Sequence, residues 1–269
     1  MIEHFKKFDQ KDTEGNIVKS LLPLSFSHLN EFAFYRERWA LRRIFDYQFP
    51  SSAAAERGSS VESGLNMILN GMTVIEATEK AISEYNANCS RITDPKVDDE
   101  RTNLAPLIEL GAQKFQEHAF QWDLIDYQKQ VEVFIKGIPF KGFTDFHFED
   151  KNTKEDFYID LKTSKTMPSQ ISMSHAMQQS IYQRATNARQ MLWYLKNPTK
   201  TKGAEFFSLE LDDYQKPMKV CEHIVLVMGK YLENVNSADD VKNSLIPNPD
   251  NWIWKEETVL KARKEIWGY

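Results

Sequence analysis

The spacing of apolar residues along the chain changes near residue 120. Before that point apolar positions recur every three or four residues, which is typical of helices with one buried face. Residues 1–24 lack this pattern and are expected to form an irregular or extended arm. A first helix is predicted from a cap at Ser27 to about Ile44, and a second from Ala53 to Leu69. A third helix follows a cap at Thr73, and a fourth covers residues 101–120 after a loop at 90–100.

From residue 128 apolar and polar residues alternate, as they do in strands with one buried face. Strands are predicted over residues 128–135 and 140–148, joined by a turn at 137–139, and over 156–162. A helix over 172–185, strands over 191–195 and 206–211, and helices over 215–234 and 255–267 follow. This order predicts an α/β fold in which helices flank a mixed central sheet.

The composition narrows the classes of protein that fit. The chain has 269 residues, a net charge of −5 and two cysteines, Cys89 and Cys221, far apart in the sequence. That spacing argues against a zinc finger, an iron–sulfur cluster or a disulfide framework. No apolar stretch is long enough to cross a membrane, and the N-terminus does not resemble a signal peptide, so a reducing cytoplasm is expected. An acidic chain would need a local basic groove to bind nucleic acid.

Three charged residues stand inside runs that otherwise read as strands. Asp145 lies in one run, and Asp160 and Lys162 lie in the next with a single residue between them. Residues i and i+2 of a strand point to the same face, so Asp160 and Lys162 should emerge side by side. If the two strands pair, two carboxylates and one ammonium meet, which suits a hard divalent cation and hydrolysis of a phosphodiester. The alternative is a solvated strand face with a simple ion pair.

Four motifs in this order resemble the PD-(D/E)XK nuclease superfamily. They are Gly58-x-x-x-Glu62, Gly142-x-x-Asp145, Asp160-Leu161-Lys162 and Gln178-x-x-x-Tyr182. The branch that they resemble is that of the RecB-like and phage-type exonucleases, which includes the CRISPR-associated adaptation nucleases. The four-cysteine cluster of some relatives is missing, so no iron–sulfur cluster is expected. The resemblance covers roughly residues 20–210.

The resemblance implies a restriction-endonuclease-like core with an added N-terminal helical region. The whole chain, 1–269, would form one nuclease domain. Its helical part would cover about 25–120, its catalytic sheet about 124–211 and its last helices about 215–269.

The resemblance also implies roles for seven residues. One or two Mg²⁺ or Mn²⁺ ions would be held by Glu62, Asp145, Asp160 and the backbone carbonyl of Leu161, while Lys162 would position or activate the attacking water. Gln178 and Tyr182, one helical turn apart, would contact phosphate or brace the lysine. The alternatives are a solvated glutamate for Glu62 and core packing for Tyr182. Arg57, beside the first motif glycine, is expected on the surface, with contact to DNA as the alternative.

The resulting hypothesis is a metal-dependent DNA nuclease, most simply an exonuclease of recombination, repair or phage DNA processing. An endonuclease of the same fold is the first alternative, and a catalytically silent nucleic-acid-binding module is the second. The expected partners are DNA with ends, a recombination partner protein or further copies of this chain, with no membrane. The implied location is the cytoplasm of a bacterium or of a phage-infected host cell.

Overall fold

A computed structural model describes residues 1–246 and 257–268 of the chain. The helices in these ranges are α1 (Ile2–Lys6), α2 (Phe26–Phe34), α3 (Arg36–Arg43), α4 (Ala53–Leu69), α5 (Val74–Cys89), α6 (Val97–Thr102), α7 (Leu104–His118), α8 (Met173–Thr186), α9 (Gln215–Glu233), α10 (Ala238–Ser244) and α11 (Glu257–Trp267). The strands are β1 (Gln10–Lys11), β2 (Ile17–Lys19), β3 (Trp122–Ile135), β4 (Ile138–Asp150), β5 (Asp156–Ser164), β6 (Arg189–Lys196) and β7 (Glu205–Glu210).

The chain divides into two compact units. The first unit comprises Met1–Phe49, Glu132–Gly142 and Asp213–Tyr269, and the second comprises Pro50–Val131 and Phe143–Asp212. In the first unit α1 and α2 pack against α9. The rings of Phe32 and Trp39, both fully buried, meet edge to face at 5.1 Å. The assignment of the whole chain to a single nuclease domain stays a prediction.

Five strands in the described ranges form the main sheet, in the order β3-β4-β5-β6-β7. β4 and β5 run antiparallel, β5 and β6 parallel, and β6 and β7 antiparallel. A two-residue turn, Lys136-Gly137, joins β3 to β4, and both of its residues have positive φ, as a tight hairpin requires. Helix α8 forms the crossover between the parallel strands. β5 is therefore central, and its charged residues lie in the middle of the sheet.

In the second unit α4 and α7 cover one face of the sheet, and α5 packs against both helices. The odd-numbered residues of β5, Phe157, Ile159 and Leu161, are buried in the same apolar cluster as Val61 and Ile108 from α4 and α7. Each such side chain contributes about 1.5–3 kcal/mol of burial free energy. The helices approach closely, since a Cβ on Gly64 would lie 2.9 Å from Ile108 Cδ1. The even-numbered residues of β5 consequently project from the opposite face.

The prediction of an α/β fold with a mixed central sheet and flanking helices is confirmed. Helix α4, with its cap at Ser52, has the predicted bounds, and the capping box of Thr73 and Glu76 is formed. The last helix is described from Glu257 to Trp267, and residues 255–256 of its predicted range lie outside the described residues. Searched over the described ranges, the structure contains no helix long and apolar enough to span a membrane.

The first predicted helix is wrong in two details. It breaks at Tyr35 into α2 and α3, and its N-cap is Ser25, whose backbone and side chain both bond to His28 in a capping box. The break has a physical reason in the packing of Phe32 and Trp39. Seven residues of continuous helix would separate these rings by about 10 Å along the axis, so their edge-to-face contact requires a bend.

Further differences lie in segments that are polar or short. The predicted arm contains α1 and the β1–β2 pair, and the predicted loop at 90–100 overlaps α6. The acidic first turn of α6 suits a helix N-terminus, and Glu100 there is held by a distant arginine, Arg57, which a local pattern does not reveal. Strand β3 begins at Trp122, earlier than predicted, and Pro139 belongs to β4 instead of the turn.

Candidate active site

The centre of the candidate site is a pair of aspartates on neighbouring strands of the second unit. The antiparallel register pairs Phe146 with Ile159, so the next step along the two strands brings Asp145 opposite Asp160. Asp145 Oδ2 accepts a hydrogen bond of 2.8 Å from the backbone N–H of Leu161. Asp160 is only 3% exposed. The strand pairing thus brings two carboxylates together in a poorly hydrated place.

Lys162 lies beside Asp160, as the strand period predicts. Its Nζ is 2.6 Å from Asp160 Oδ2, and about a quarter of its side chain is exposed. Burial by itself would lower the pKa of Lys162, but the carboxylates of Asp160 and Asp145 outweigh it and raise that pKa. The lysine is therefore a firmly charged cation at this site.

Glu62 approaches the two aspartates from α4. Burial raises the pKa of Glu62, hydrogen bonds from Gln128 and Tyr127 oppose that rise, and the charge of Asp160 adds to it. Burial likewise raises the pKa of Asp145 well above its ordinary value, with Asp160 and Glu62 adding to the rise. One lysine thus faces three carboxylates, and this excess of negative charge is what a bound cation would relieve.

Helix α8 brings Gln178 and Tyr182 to the same site. Gln178 Nε2 donates to the Tyr182 hydroxyl at 3.5 Å, and burial raises the pKa of Tyr182, with the charges of Asp160 and Asp145 contributing. Tyr182 is 6% exposed, so it is packed as well as near the carboxylates. Both roles considered for Tyr182, packing and contact with the site, fit this position.

His175 and Tyr194 are further neighbours of Lys162 that the motifs did not indicate. Tyr194 is paired with Lys162 in the parallel register of β5 and β6. Its hydroxyl lies 2.6 Å from His175 Nδ1. Burial lowers the pKa of His175, and the charge of Lys162 lowers it further. A signal existed in the sequence, because His175 precedes Gln178 by three residues and so shares its helix face.

Tyr127 and Gln128 of β3 contact Glu62, and the motifs do not indicate them either. Gln128 Nε2 donates to Glu62 Oε1 at 3.2 Å. The sequence does carry a sign of their position, because the alternation of inward and outward residues shifts by one place within β3. Trp122 and Leu124 face inward at even positions, whereas Val131 and Ile135 face inward at odd positions. Such a change indicates an irregularity in the strand between them.

The expectation that Arg57 lies on the surface is wrong. The arginine is 3% exposed, forms an ion pair with buried Glu100, and donates to Thr163 Oγ1 at 3.1 Å through Nη2. Its charge needs a partner in the interior, and Glu100 lies near enough to provide one.

Whether the cluster suits a divalent cation depends on the arrangement and on the chemistry of its donor atoms. Over the described residues no group of three acidic, histidine or cysteine side chains is already arranged as metal ligands. The chemistry of the donors nevertheless fits, because all are oxygens and Asp160 Oδ1, although buried, has no hydrogen-bond partner within the described part of the chain. Glu62, Asp145 and Asp160 could therefore supply carboxylate oxygens, and Leu161 its backbone carbonyl.

Comparisons with known proteins bear on the fold. No family model matches the chain, and no curated protein matches it. Among solved structures, one similar to this chain is a protein of Eubacterium rectale that bears the name "putative exonuclease". It is 13% identical, with a TM-score of 0.54, and the match covers 91% of this chain and 97% of that one. At this identity the likeness shows a shared fold.

A second solved structure, named SSO0001, is 16% identical with a TM-score of 0.33, over 63% of this chain and 84% of that one. That likeness is too weak to support an argument. The class defined by the fold and the site geometry is an α/β protein with a charged cluster at the centre of a mixed sheet.

Proposed function

We propose that this protein is a metal-dependent DNA nuclease that hydrolyses phosphodiester bonds. One observation carries the proposal: three carboxylates meet a single lysine at the centre of the sheet, and a buried oxygen of Asp160 has no hydrogen-bond partner in the described ranges. A fold built only for stability gains nothing from such an arrangement, because like charges held together in a dry site repel.

The proposed chemistry assigns a task to each group. A bound Mg²⁺ or Mn²⁺ ion would act as a Lewis acid that stabilises charge on the phosphate oxygens. Glu62, Asp145 and Asp160 would hold that ion, together with the carbonyl of Leu161. Lys162 would orient the attacking water and stabilise the negative charge that develops on the phosphate.

Gln178 and Tyr182 would act on the substrate side of the same cluster. The Gln178 amide lies within 3.5 Å of the Tyr182 hydroxyl, so the two can bind a phosphate oxygen together or keep Lys162 in place. In either role they position groups, and they do not exchange protons with the substrate.

Among nucleases we propose an exonuclease. The name of the Eubacterium rectale protein, whose fold this chain shares over 91% of its length, supports that choice, as does the order of the four sequence motifs. DNA with free ends would be the substrate. A role in recombination, repair or phage DNA processing, with a partner protein or further copies of this chain and in a bacterial or phage-infected cytoplasm, belongs to the same proposal.

The test is a cleavage assay in the presence of Mn²⁺ or Mg²⁺. End-labelled single- and double-stranded linear DNA would be compared with covalently closed circles. Asp160→Asn is the inactive variant, and Asp156→Asn is its matched control. Asp156 lies at the start of the same strand, where it bonds to His147 at 2.9 Å instead of joining the charged cluster.

We expect the wild type and Asp156→Asn to degrade linear DNA and spare the circles. Asp160→Asn should lose on the order of 10²- to 10³-fold in rate. Cleavage of circles would replace the exonuclease by an endonuclease. Equal activity of Asp160→Asn and the wild type would contradict the assignment of the site, and DNA binding without metal-dependent cleavage would favour the silent binding module.

A further inference from the structure

Two consecutive residues of β3 reach the same carboxylate. Gln128 Nε2 lies 3.2 Å from Glu62 Oε1 and also 3.2 Å from the Tyr127 hydroxyl. The Tyr127 hydroxyl is in turn hydrogen-bonded to Glu62. Successive side chains of a regular strand point to opposite faces, so neighbours in the sequence do not normally share a partner. The arrangement therefore needs a local departure from strand geometry.

The departure is found at Gln128, whose φ is +50°. A residue other than glycine rarely takes this left-handed conformation, and inside a strand it costs on the order of 1 kcal/mol or more. Strain of this kind persists only where the surrounding contacts enforce it, and it is concentrated at functional sites. Here it turns the Gln128 side chain toward Tyr127 and Glu62.

Tyr127 is anchored on the strand that carries Asp145. Its ring packs on Phe146 with centroids 5.4 Å apart, and Phe146 is fully buried. The tyrosine thereby links the position of Glu62, which comes from a helix, to the position of Asp145, which comes from the sheet. The Gln128 amide donates to Glu62 Oε1 and to the Tyr127 hydroxyl oxygen, and the Tyr127 hydroxyl donates to Glu62. All of these hydrogen bonds thus lead toward the Glu62 carboxylate.

We propose that Tyr127 and Gln128 are positioning residues that hold the Glu62 carboxylate toward Asp145 and Asp160, and that the left-handed backbone of Gln128 exists to bring both donors to one carboxylate. The inference rests on the proposed function, because it gives Glu62 the task of binding a metal ion. Residues that orient a metal ligand in this way typically change metal affinity by 10- to 100-fold when they are replaced.

The chain offers variants that separate this role from folding. Gln128→Gly removes the amide while glycine accepts the left-handed backbone without strain. Tyr127→Phe removes one hydroxyl and keeps the ring on Phe146. Gln130→Ala is the matched control, since Gln130 is an exposed glutamine on the same strand. Glu62→Gln shows the effect of losing the carboxylate itself.

The experiment measures Mn²⁺ binding to the full chain by titration calorimetry, without DNA. We expect Gln128→Gly and Tyr127→Phe each to weaken binding about 10-fold and Gln130→Ala to leave it unchanged. In the cleavage assay the two variants should need correspondingly more Mn²⁺ and should regain most of the wild-type rate at saturating metal. A variant that is merely misfolded would not be rescued in this way.

A crystal structure of each metal-free protein provides an independent readout. Glu62 should adopt one side-chain conformation in the wild type and several in the double variant Tyr127→Phe/Gln128→Gly. If the wild type binds no Mn²⁺, the proposed function fails, and the order of Glu62 still decides the role of the pair. If the double variant keeps both wild-type Mn²⁺ affinity and an ordered Glu62, the inference is overturned while the nuclease proposal stands.

Discussion

Two clusters of buried charge lie in the second unit, and they are composed in opposite ways. In one, Glu100 is 1% exposed and has a cation on each oxygen, Arg57 on Oε2 and Lys165 on Oε1 at 2.9 Å. In the other, Asp160 is similarly buried, but it shares the cation Lys162 with two further carboxylates. These carboxylates belong to Asp145 and Glu62. The first cluster, Arg57–Glu100–Lys165, has an excess of cations and the second an excess of anions.

The difference separates a cluster that stabilises the fold from one that is suited to bind. Buried charges favour folding only when they are paired, because desolvation costs several kcal/mol for each ion. The Arg57–Glu100–Lys165 cluster meets that condition, and it also contacts Thr163, the neighbour of Lys162. The site cluster does not meet it, so its carboxylates should lower stability until a cation is bound. Substitutions in the two clusters should therefore change stability with different signs and by different amounts.

Arg57→Met should produce the largest loss. Glu100 would keep a single, partly exposed partner, and breaking a buried pair costs about 3 kcal/mol. Chemical denaturation measures the loss. Because two apolar side chains need no pairing, the double variant Arg57→Met/Glu100→Met should recover more than half of it. Arg101→Met, at an exposed arginine paired with Asp98, should cost less than about 0.5 kcal/mol. A small effect of Arg57→Met would show that the cluster does not stabilise the fold.

Asp145→Asn should have the opposite sign. The amide oxygen of asparagine still accepts the hydrogen bond from Leu161 N–H, while the repulsion between Asp145 and Asp160 disappears. We expect metal-free stability to rise by about 1 kcal/mol and cleavage to be lost. Thermal unfolding in a chelator measures the first quantity and the DNA assay the second. A destabilised Asp145→Asn protein would contradict the view that the site cluster carries uncompensated charge.

The two clusters should also respond to acid in opposite directions. The pKa of Glu100 is lowered: burial works against that shift, but Lys165 and Arg57 outweigh it. Its contribution to stability is complete above the unfolded-state pKa of about 4.5 and is lost as the pH falls through the lower folded value. The pKa of Asp145 is raised by burial and by the charges of Asp160 and Glu62. In the metal-free protein the stability that Asp145 contributes is therefore present below pH about 3.8, the unfolded-state pKa, and is lost as the pH rises through the higher folded value.

Denaturation at several pH values in a chelator measures both contributions. The stability advantage of the wild type over Glu100→Gln should shrink below pH about 4.5. The deficit of the wild type relative to Asp145→Asn should shrink as the pH is lowered from neutral. On acidification, the stability of the wild type should thus fall relative to Glu100→Gln and rise relative to Asp145→Asn. If it changed in the same direction relative to both variants, the proposed distinction between the clusters would be removed.

Lys165→Ala should have the smallest effect. More than half of the Lys165 side chain is exposed, and ion pairs with such a partner contribute about 0–1 kcal/mol. Arg57 remains on the other oxygen of Glu100, so the buried charge keeps a partner. A loss comparable to that of Arg57→Met, measured by the same denaturation experiment, would assign the pairing of Glu100 mainly to the lysine.

The sequence predicts the contacts that depend on spacing within one element. The period of a strand brings Asp160 and Lys162 together, and the period of a helix does the same for Gln178 and Tyr182. The alternation of β3 and the order of the strands likewise give the α/β class, because each follows from a local pattern.

The sequence does not predict the contacts that depend on packing between elements. Arg57 reads as a surface residue because its partner is 43 positions away on a helix too short and polar to recognise. Gln128 reads as an ordinary outward-facing strand residue, since only its backbone conformation turns it toward Glu62. A separate helix, α3, begins after Tyr35 because of the packing of the Phe32 and Trp39 rings. The spacing of apolar residues is the same for one continuous helix and for two helices with a break between them.

The hydrogen bond from Leu161 N–H to the Asp145 side chain has a kinetic consequence. This amide is held by a carboxylate, whereas its neighbours on β5 belong to the regular ladder between main chains. The exchange of its proton with solvent deuterium therefore depends on one rotatable side chain as well as on opening of the sheet. In an exchange experiment read residue by residue, faster exchange at Leu161 than at its neighbours on β5 would therefore report how readily Asp145 leaves its resting position, with no substrate or metal present.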